Sequence, residues 1–111
     1  MRLSQKAKSL TLDWDNISID EAYKRVDYIL ENHCNVRKLM LSLSPHKGFH
    51  VRVSLFGFAA ILPLRNEWKD DGRRVVNDIL NRPDHVHDIL WLRKTDSRGT
   101  WEEKHLKTWN R

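Results

Sequence analysis

The chain contains almost no cysteine and no long apolar segment. Cys34 is the only cysteine among the 111 residues, which excludes an intrachain disulfide and a zinc site of the usual cysteine-based kind. The longest apolar run, residues 56–64, includes a glycine and a proline and is far shorter than the roughly 20 residues that span a bilayer. Residues 1–6 are basic without an apolar segment behind them, so we expect no signal peptide. These features predict a cytoplasmic protein without membrane association.

The composition that is present suits a single globular domain. A chain of 111 residues can bury one core but not a core and a separate module, so residues 1–111 are predicted to be one domain with a basic N-terminal lead-in at residues 1–8. The formal net charge is +5. Because counterion release favours binding of basic surfaces to phosphate, this charge points to anionic partners, and to nucleic acid first.

Residues 9–15 alternate in the pattern of a half-buried strand. One face of this strand carries Leu10, Leu12 and Trp14, and the other carries Thr11, Asp13 and Asp15. Two carboxylates thus lie about 7 Å apart on one side of the strand. Their mutual repulsion is costly unless a cation or solvent lies between them.

A helix and a hairpin are predicted to follow this strand. Ser18 and Glu21 form a capping box at the start of a helix that ends between residues 32 and 35. Residues 36–44 form a second strand, and a polar loop leads into a third strand at residues 49–55, so strands two and three form a hairpin. The order of elements is therefore β-α-β-β.

The second half of the chain is less regular. Residues 56–62 are interpreted as a connection, and Pro63 as the first residue of a short helix that runs to residue 68 or 69 and is broken at residues 70–72. Residues 73–80 fit a strand or a helix, and we prefer a strand. Residues 87–95 and 100–109 are predicted as strands joined by a turn at residues 96–99.

These elements predict an α+β fold close to the ferredoxin-like or RNA-recognition-motif architecture. Its antiparallel sheet carries helices on one face and leaves the other face open. If the apolar positions of all strands cover the helices, one set of polar residues shares the open face: Asp13, Asp15, Ser44, His50 and Arg52.

The segment 44–55 combines a loop and a strand whose polar residues could form a binding site. Phe49, Val51, Val53 and Leu55 alternate with polar residues. The loop before them contains Pro45, Lys47 and Gly48, and a loop of this composition could hold an anion beside the imidazole of His50.

Three segments resemble the motifs of the archaeo-eukaryotic primase superfamily of primases and primase-polymerases. The first family motif is a strand with two acidic residues one apart, and residues 12–15, Leu-Asp-Trp-Asp, match it. The second is a serine, a glycine-containing loop and a histidine that opens a hydrophobic strand; residues 44–51 are similar to it, especially to polymerase domains of bacterial end-joining ligases. The third is an aspartate after a hydrophobic residue on a later strand. Asp78 is the candidate, although Asn77 stands where the family has an apolar residue.

The resemblance implies a role for each of these residues. The catalytic ligands of two Mg²⁺ or Mn²⁺ ions would be Asp13, Asp15 and Asp78. The nucleotide-binding residues would be Ser44, Lys47, His50 and Arg52. This assignment agrees with general chemistry, because hard cations prefer carboxylate oxygens and two such ions stabilise both the attacking and the leaving oxygen in phosphoryl transfer.

The resemblance covers residues 9–80 in a chain much shorter than a usual catalytic core of the superfamily. No counterpart of the family's additional N-terminal unit or zinc-binding element is evident. The resemblance therefore implies a minimal or degenerate relative with primase-like nucleotidyl-transfer activity in the replication of a virus or plasmid. DNA or RNA and a nucleoside triphosphate would be its partners, and the host cell cytoplasm its location if it is viral.

Two other functions are compatible with the sequence. His85 and His87 flank one hydrophobic residue, as in the metal motif of rolling-circle (HUH-type) replication nucleases; those enzymes need a tyrosine nucleophile, and the only tyrosines are Tyr23 and Tyr28 on the first helix. The other candidate is a non-catalytic module of the RNA-recognition-motif type, which would bind single-stranded nucleic acid through Arg52, Lys38 and exposed tryptophans.

Ordinary structural roles compete with all of these assignments. Asp13 and Asp15 could be a solvated strand end that leads into a helix cap. His50 could be a sheet histidine paired with a carboxylate, and Asp78 a surface acid near arginines.

Overall fold

The structure, a computed structural model, describes residues 6–45, 48–81, 93–96 and 99–111. These residues form a four-stranded sheet, a two-stranded sheet and three helices. The strands are β1 (Lys6–Asp15), β2 (Val36–Leu43), β3 (Gly48–Ala60), β4 (Arg93–Asp96), β5 (Gly99–Glu102) and β6 (Lys104–Asn110). The helices are α1 (Ile19–Asn32), α2 (Ile61–Glu67) and α3 (Gly72–Asn81).

The four-stranded sheet has the strand order β1-β3-β2-β6, and all of its pairings are antiparallel. The remaining pair, β4 and β5, forms a separate antiparallel hairpin. β1 and β2 are connected through α1 and separated by β3, which is the split β-α-β arrangement of ferredoxin-like folds. The predicted α+β class and the hairpin of the second and third strands are therefore confirmed.

The alternation along the strands produces one buried face, as predicted. This face packs against α1, whose residues Ala22, Val26 and Ile29 are fully buried. The sheet contributes Leu10, Leu12, Trp14, Leu39, Leu41, Phe49, Val51, Val53 and Leu55 to the same core. Removing these side chains from water is the main favourable contribution to folding.

α1 begins where the sequence predicts. The Ser18 hydroxyl oxygen accepts a hydrogen bond from the Glu21 backbone N–H at 3.1 Å, which satisfies one of the free donors of the first turn. Two apolar residues at the ends of α1 and β2 are exposed. Ile19, at the first position of the helix, is 46% exposed, and Leu43, at the end of β2, is 37% exposed, because each lies at an end that the core does not reach.

α3 replaces the strand preferred for residues 73–80, so that prediction is wrong. Asp71 caps this helix: its carboxylate accepts from the Arg73 N–H at 3.1 Å, and its carbonyl accepts from the Val75 N–H at 3.1 Å. An aspartate cap satisfies donors at the start of a helix. It outweighs the weak extended preference of Val75 and Val76.

Several boundaries also differ from the predictions. β1 begins at Lys6, so residues 6–8 belong to the strand and not to a lead-in. β3 continues to Ala60 through the predicted connection, and α2 begins at Ile61, two residues before Pro63. Proline is tolerated there because N–H groups of the first turn have no partner within the helix. The predicted last strand is divided at Glu103 into β5 and β6, and most of the predicted strand at residues 87–95 lies outside the described residues.

Candidate metal centre

Polar residues of neighbouring strands form rows across the face opposite α1. Asp13 of β1 lies directly opposite His50 of β3, which lies opposite Ser42 of β2. The next row contains Thr11, Arg52 and Met40 in the same order. The strand register confirms that Asp13, His50 and Arg52 share this face, but the prediction that the face is open is wrong at its centre, where His50 and Ser42 are only 4% and 1% exposed.

The turn between α2 and α3 is attached to the outer edge of β1. The Asp71 N–H donates to the Asp13 carbonyl at 3.0 Å, and the Asp13 N–H donates to the Asp70 carboxylate at 2.8 Å. Arg74, in the first turn of α3, donates to the Thr11 carbonyl at 3.1 Å and also to the Thr11 hydroxyl. Backbone groups of an edge strand that would otherwise be unpaired are thus satisfied by this turn.

Asp70 is the buried anchor of the turn. Its carboxylate accepts hydrogen bonds from the Arg65 Nε at 2.6 Å, from the Arg74 guanidinium at 2.8 Å and from the Asp71 N–H at 2.9 Å. The side chains of Asp70 and Arg65 are completely buried. A buried carboxylate with this many donors is fully compensated, so Asp70 has a structural role.

The attachment of this turn brings a third carboxylate to the pair on β1. Asp13, Asp15 and Asp71 each offer one carboxylate oxygen, and these three oxygens lie within 4.8 Å of one another. The chain thus places three acidic oxygens, the donors that Mg²⁺ and Mn²⁺ prefer, at one point.

Asp13 is the most perturbed member of the cluster. Burial, and then the charge of Asp15, raise the pKa of the Asp13 carboxyl from 3.8 to about 7. Its Oδ1 atom is buried and has no hydrogen-bond partner among the described residues; the His50 Nε2 atom lies 3.9 Å away. A buried oxygen without a donor is rare in folded proteins and calls for a proton or a cation.

A cleft of about 370 Å³ opens onto these carboxylates and has cations in its wall. Arg25, Lys69 and Arg73 line it together with the three aspartates and Asn16. Asn16 and Lys69 have φ values of 57° and 61°, and they are the non-glycine residues with positive φ in the described chain. Asn16 lies in the turn after β1, and Lys69 follows the C-cap of α2, where a left-handed residue commonly ends a helix.

The first residue of β3, Gly48, lies close to the cluster. A Cβ atom on Gly48 would lie 2.5 Å from the Asp15 Oδ1 atom and 2.7 Å from the Trp14 carbonyl oxygen, so only glycine fits there. The Gly48 N–H donates to the Ser44 hydroxyl oxygen at 3.1 Å, and the Ser44 N–H donates to the Gly48 carbonyl at 2.9 Å. Ser44 and Gly48 therefore pair with each other on either side of the loop, and Gly48 lies against the cluster.

His50 is buried between two acidic residues. It is 4% exposed, and its Nδ1 atom lies 2.7 Å from the Glu103 carboxylate, while its Nε2 atom faces Asp13. Burial lowers the pKa of His50, and the hydrogen bond that its ring donates to the Glu103 carboxylate opposes that effect. Glu103 also accepts two hydrogen bonds from Arg52, at 2.8 and 2.9 Å.

The predicted site residues have different outcomes. Asp13, Asp15 and His50 converge, and Arg52 lies one row away. Asp78 lies on α3 and not on a strand, and its side chain is outside the part of the structure that is described, as is Lys47.

Sequence reasoning missed two members of the site. One signal could have revealed Asp71, since an aspartate before Gly72 and a helical segment is a typical N-cap. No local signal marks Glu103, because it meets His50 across 53 residues of chain.

Within the described residues, the structure does not bring together the histidines and the tyrosine that a rolling-circle nuclease would need. His85 and His87 lie outside the described residues. Tyr28 is on α1, where its hydroxyl donates to Glu67 at 3.2 Å, and Tyr23 packs edge-on against Trp109. Both tyrosines therefore lie on the helix that covers the opposite face of the sheet.

Comparison of the chain with protein-family models, curated proteins and solved structures found no match. Among the helices of the described residues, none has the length and apolar character needed to span a membrane. Function is therefore inferred from the geometry of the site and its chemistry.

Proposed function

We propose that the protein carries a divalent-metal site for nucleotidyl transfer of the primase type. The observation that carries this proposal is the convergence of Asp13, Asp15 and Asp71 to within 4.8 Å, with a buried Asp13 oxygen that has no hydrogen-bond donor among the described residues. A site of this kind is destabilised by its own charge until a cation binds, which is the property expected of a metal centre.

The residues fit Mg²⁺ or Mn²⁺ in their chemistry. All three are carboxylates, and no sulfur donor lies among them, which suits a hard cation. When bound, such ions neutralise the charge that develops on phosphate oxygens and on the attacking oxygen. In this proposal Asp71 takes the place that the resemblance gave to Asp78.

Cationic side chains and the imidazole of the site would bind and orient the phosphates of a nucleoside triphosphate. His50 and Arg52 lie on the sheet face beside Asp13, while Arg25, Lys69 and Arg73 line the cleft at the carboxylates. Ser44 and Lys47 belong to the loop that enters β3 at Gly48, so they remain candidates for the same task. Positioning and charge neutralisation account for most of the catalysis in phosphoryl transfer.

The strongest test of this activity is incorporation of a labelled nucleotide with Mn²⁺ or Mg²⁺, on single-stranded and on primed oligonucleotides. Asp13→Asn and Asp71→Asn should each lower incorporation by at least about 100-fold, because each removes a charged ligand. Asp27→Asn is the matched control, since Asp27 is an exposed aspartate of α1. Equal incorporation by Asp71→Asn and Asp27→Asn would refute the role of Asp71.

A second candidate function is metal-independent binding of single-stranded nucleic acid. A groove of about 300 Å³ on the sheet is lined by Arg37, Lys38 and Arg52, and no carboxylate is among its described lining residues. Phe56 and Phe58 are 58% and 68% exposed at the far end of β3, and the Lys8 ammonium lies 5.0 Å from the Phe58 ring. Stacking on exposed aromatics beside cations is how proteins bind single strands without sequence preference.

This second function can be measured without metal. Anisotropy of a labelled oligonucleotide in EDTA should show weaker binding by Phe58→Ala and by Lys38→Ala, with a shallower salt dependence for the lysine variant. Lys24→Ala is the control, because Lys24 is an exposed residue of α1.

Replication of a virus or plasmid remains the proposed context and derives from the resemblance alone.

A further inference from the structure

Glu103 lies against His50 and Arg52 on the sheet face opposite α1. The Glu103 carboxylate lies 2.7 Å from the His50 Nδ1 atom and accepts two hydrogen bonds from the Arg52 guanidinium, at 2.8 and 2.9 Å. The side chain of Glu103 is 14% exposed, and that of Arg52 is 30% exposed. Glu103 therefore uses the cationic and donor groups that the proposed function assigns to nucleotide phosphates.

The chemistry of these contacts is that of anion binding. Arginine and imidazole N–H groups bind carboxylate and phosphate oxygens in the same geometry. A phosphate brought to His50 and Arg52 would meet the negative charge of Glu103 at contact distance. Like charges this close exclude each other unless one of them leaves.

We propose that Glu103 is a built-in occupant of the phosphate position and that a polyphosphate ligand binds by displacing its carboxylate from His50 and Arg52. The inference rests on the proposed function for the class of ligand, and it adds a regulatory contact that the primase resemblance does not supply. The site is closed by its own side chain until a ligand with more negative charge competes successfully.

The position of Glu103 in the chain links this contact to a second structural unit. Glu103 is the single residue between β5, which belongs to the two-stranded sheet, and β6, which belongs to the four-stranded sheet.

The test is binding of inorganic tripolyphosphate in EDTA, measured by calorimetry. Glu103→Gln keeps the size and shape of the side chain but removes the charge, and it should bind tripolyphosphate about tenfold more tightly than the unmodified protein. Adding Arg52→Ala to this variant should abolish the gain, since Arg52 is the principal donor. Glu102→Gln makes the same change of net charge on an adjacent exposed residue and should have little effect.

A second measurement does not depend on the folding of a variant. In the unmodified protein, the ¹⁵N signals of the His50 ring should shift on titration with tripolyphosphate, because the Nδ1 hydrogen bond to Glu103 is exchanged for one to phosphate. Unchanged His50 signals at saturation, equal affinities of Glu103→Gln and Glu102→Gln, or no binding by any of these proteins would each overturn the proposal.

These outcomes are separable from failure of the metal site. No metal is present in the assay, and Asp13→Asn should leave the difference between Glu103→Gln and the unmodified residue in place. If the unmodified protein does not bind Mn²⁺ but Glu103→Gln still binds tripolyphosphate more tightly, the proposal of nucleotidyl transfer is rejected and the anion site is retained.

Discussion

Asp70 and Asp71 are adjacent in the chain and have opposite environments. Asp70 is buried and accepts hydrogen bonds from Arg65, Arg74 and two backbone N–H groups, so its charge is fully compensated. Asp71 points its carboxylate toward Asp13 and Asp15, where negative charge accumulates.

The difference separates a residue that builds the site from residues that would act in it. A compensated buried carboxylate stabilises the fold, and its loss leaves buried arginine charge behind. A group of carboxylates held together destabilises the fold in the absence of a cation. The same turn thus uses one aspartate to attach to β1 and the next to complete the cluster.

The largest expected effect is on the structural side of this comparison. Asp70→Asn should lower the free energy of unfolding by about 3–5 kcal/mol, because it removes the buried negative charge that both Arg65 and Arg74 contact. Asp71→Asn should change it by less than about 1 kcal/mol, because asparagine is an equally good N-cap. Urea unfolding at pH 7 in EDTA measures both. Similar losses in the two variants would remove the distinction.

The next effect concerns pH and has the opposite sign. Because the pKa of Asp13 is about 7 in the folded protein against 3.8 normally, folding disfavours its carboxylate. This penalty on folding is absent below about pH 3.8, grows between pH 3.8 and about pH 7, and is constant above pH 7. Asp13→Asn should therefore stabilise the metal-free protein at pH 8 by about 1–3 kcal/mol, less than the full shift corresponds to because solvent screens a side chain that is 24% exposed, and should have little effect near pH 3.5.

Unfolding of both proteins from pH 3.5 to 8 in EDTA checks this pH dependence. Mn²⁺ should reverse the order at pH 8, because only the unmodified protein gains the binding energy of the ion. If Asp13→Asn is less stable than the unmodified protein at pH 8 in EDTA, the negative charge of Asp13 is compensated in the folded protein, as that of Asp70 is.

A smaller effect tests the packing against the cluster. Gly48→Ala places a Cβ atom against Asp15 and the Trp14 carbonyl, so it should cost about 1–3 kcal/mol and weaken Mn²⁺ binding by shifting Asp15. Gly57→Ala is the control, because nothing lies within 4 Å of the corresponding Cβ position. Equal stabilities of the two variants would mean that the approach of β3 to Asp15 is not constrained.

The sequence predicted those parts of the fold that depend on local pattern. Alternation revealed β1, β2 and the first half of β3, and the capping box at Ser18 revealed the start of α1. The burial of Leu10, Leu12 and Trp14 followed from the same alternation. The shared face of Asp13 and His50 could be predicted because parity along neighbouring strands decides it.

Other features could not be read from local pattern. Residues 73–80 are rich in β-branched residues, and their helix depends on the Asp71 cap and on Arg74 reaching Thr11, a contact across 63 residues. Asp71 joins the cluster because the turn between α2 and α3 is bonded to β1 through Asp70, Asp71 and Arg74. Glu103 reaches His50 from the junction of two sheets. Each of these contacts depends on how distant segments pack, which propensity does not encode.

The most direct test of the metal centre is the affinity for Mn²⁺ at pH 8, measured by electron paramagnetic resonance. The account predicts saturable binding by the unmodified protein and by Asp27→Asn, and a loss of at least about tenfold in affinity in Asp13→Asn and in Asp71→Asn, because each variant removes one charged ligand. Equal affinity in all four proteins would contradict it and show that Asp13 and Asp71 are not metal ligands.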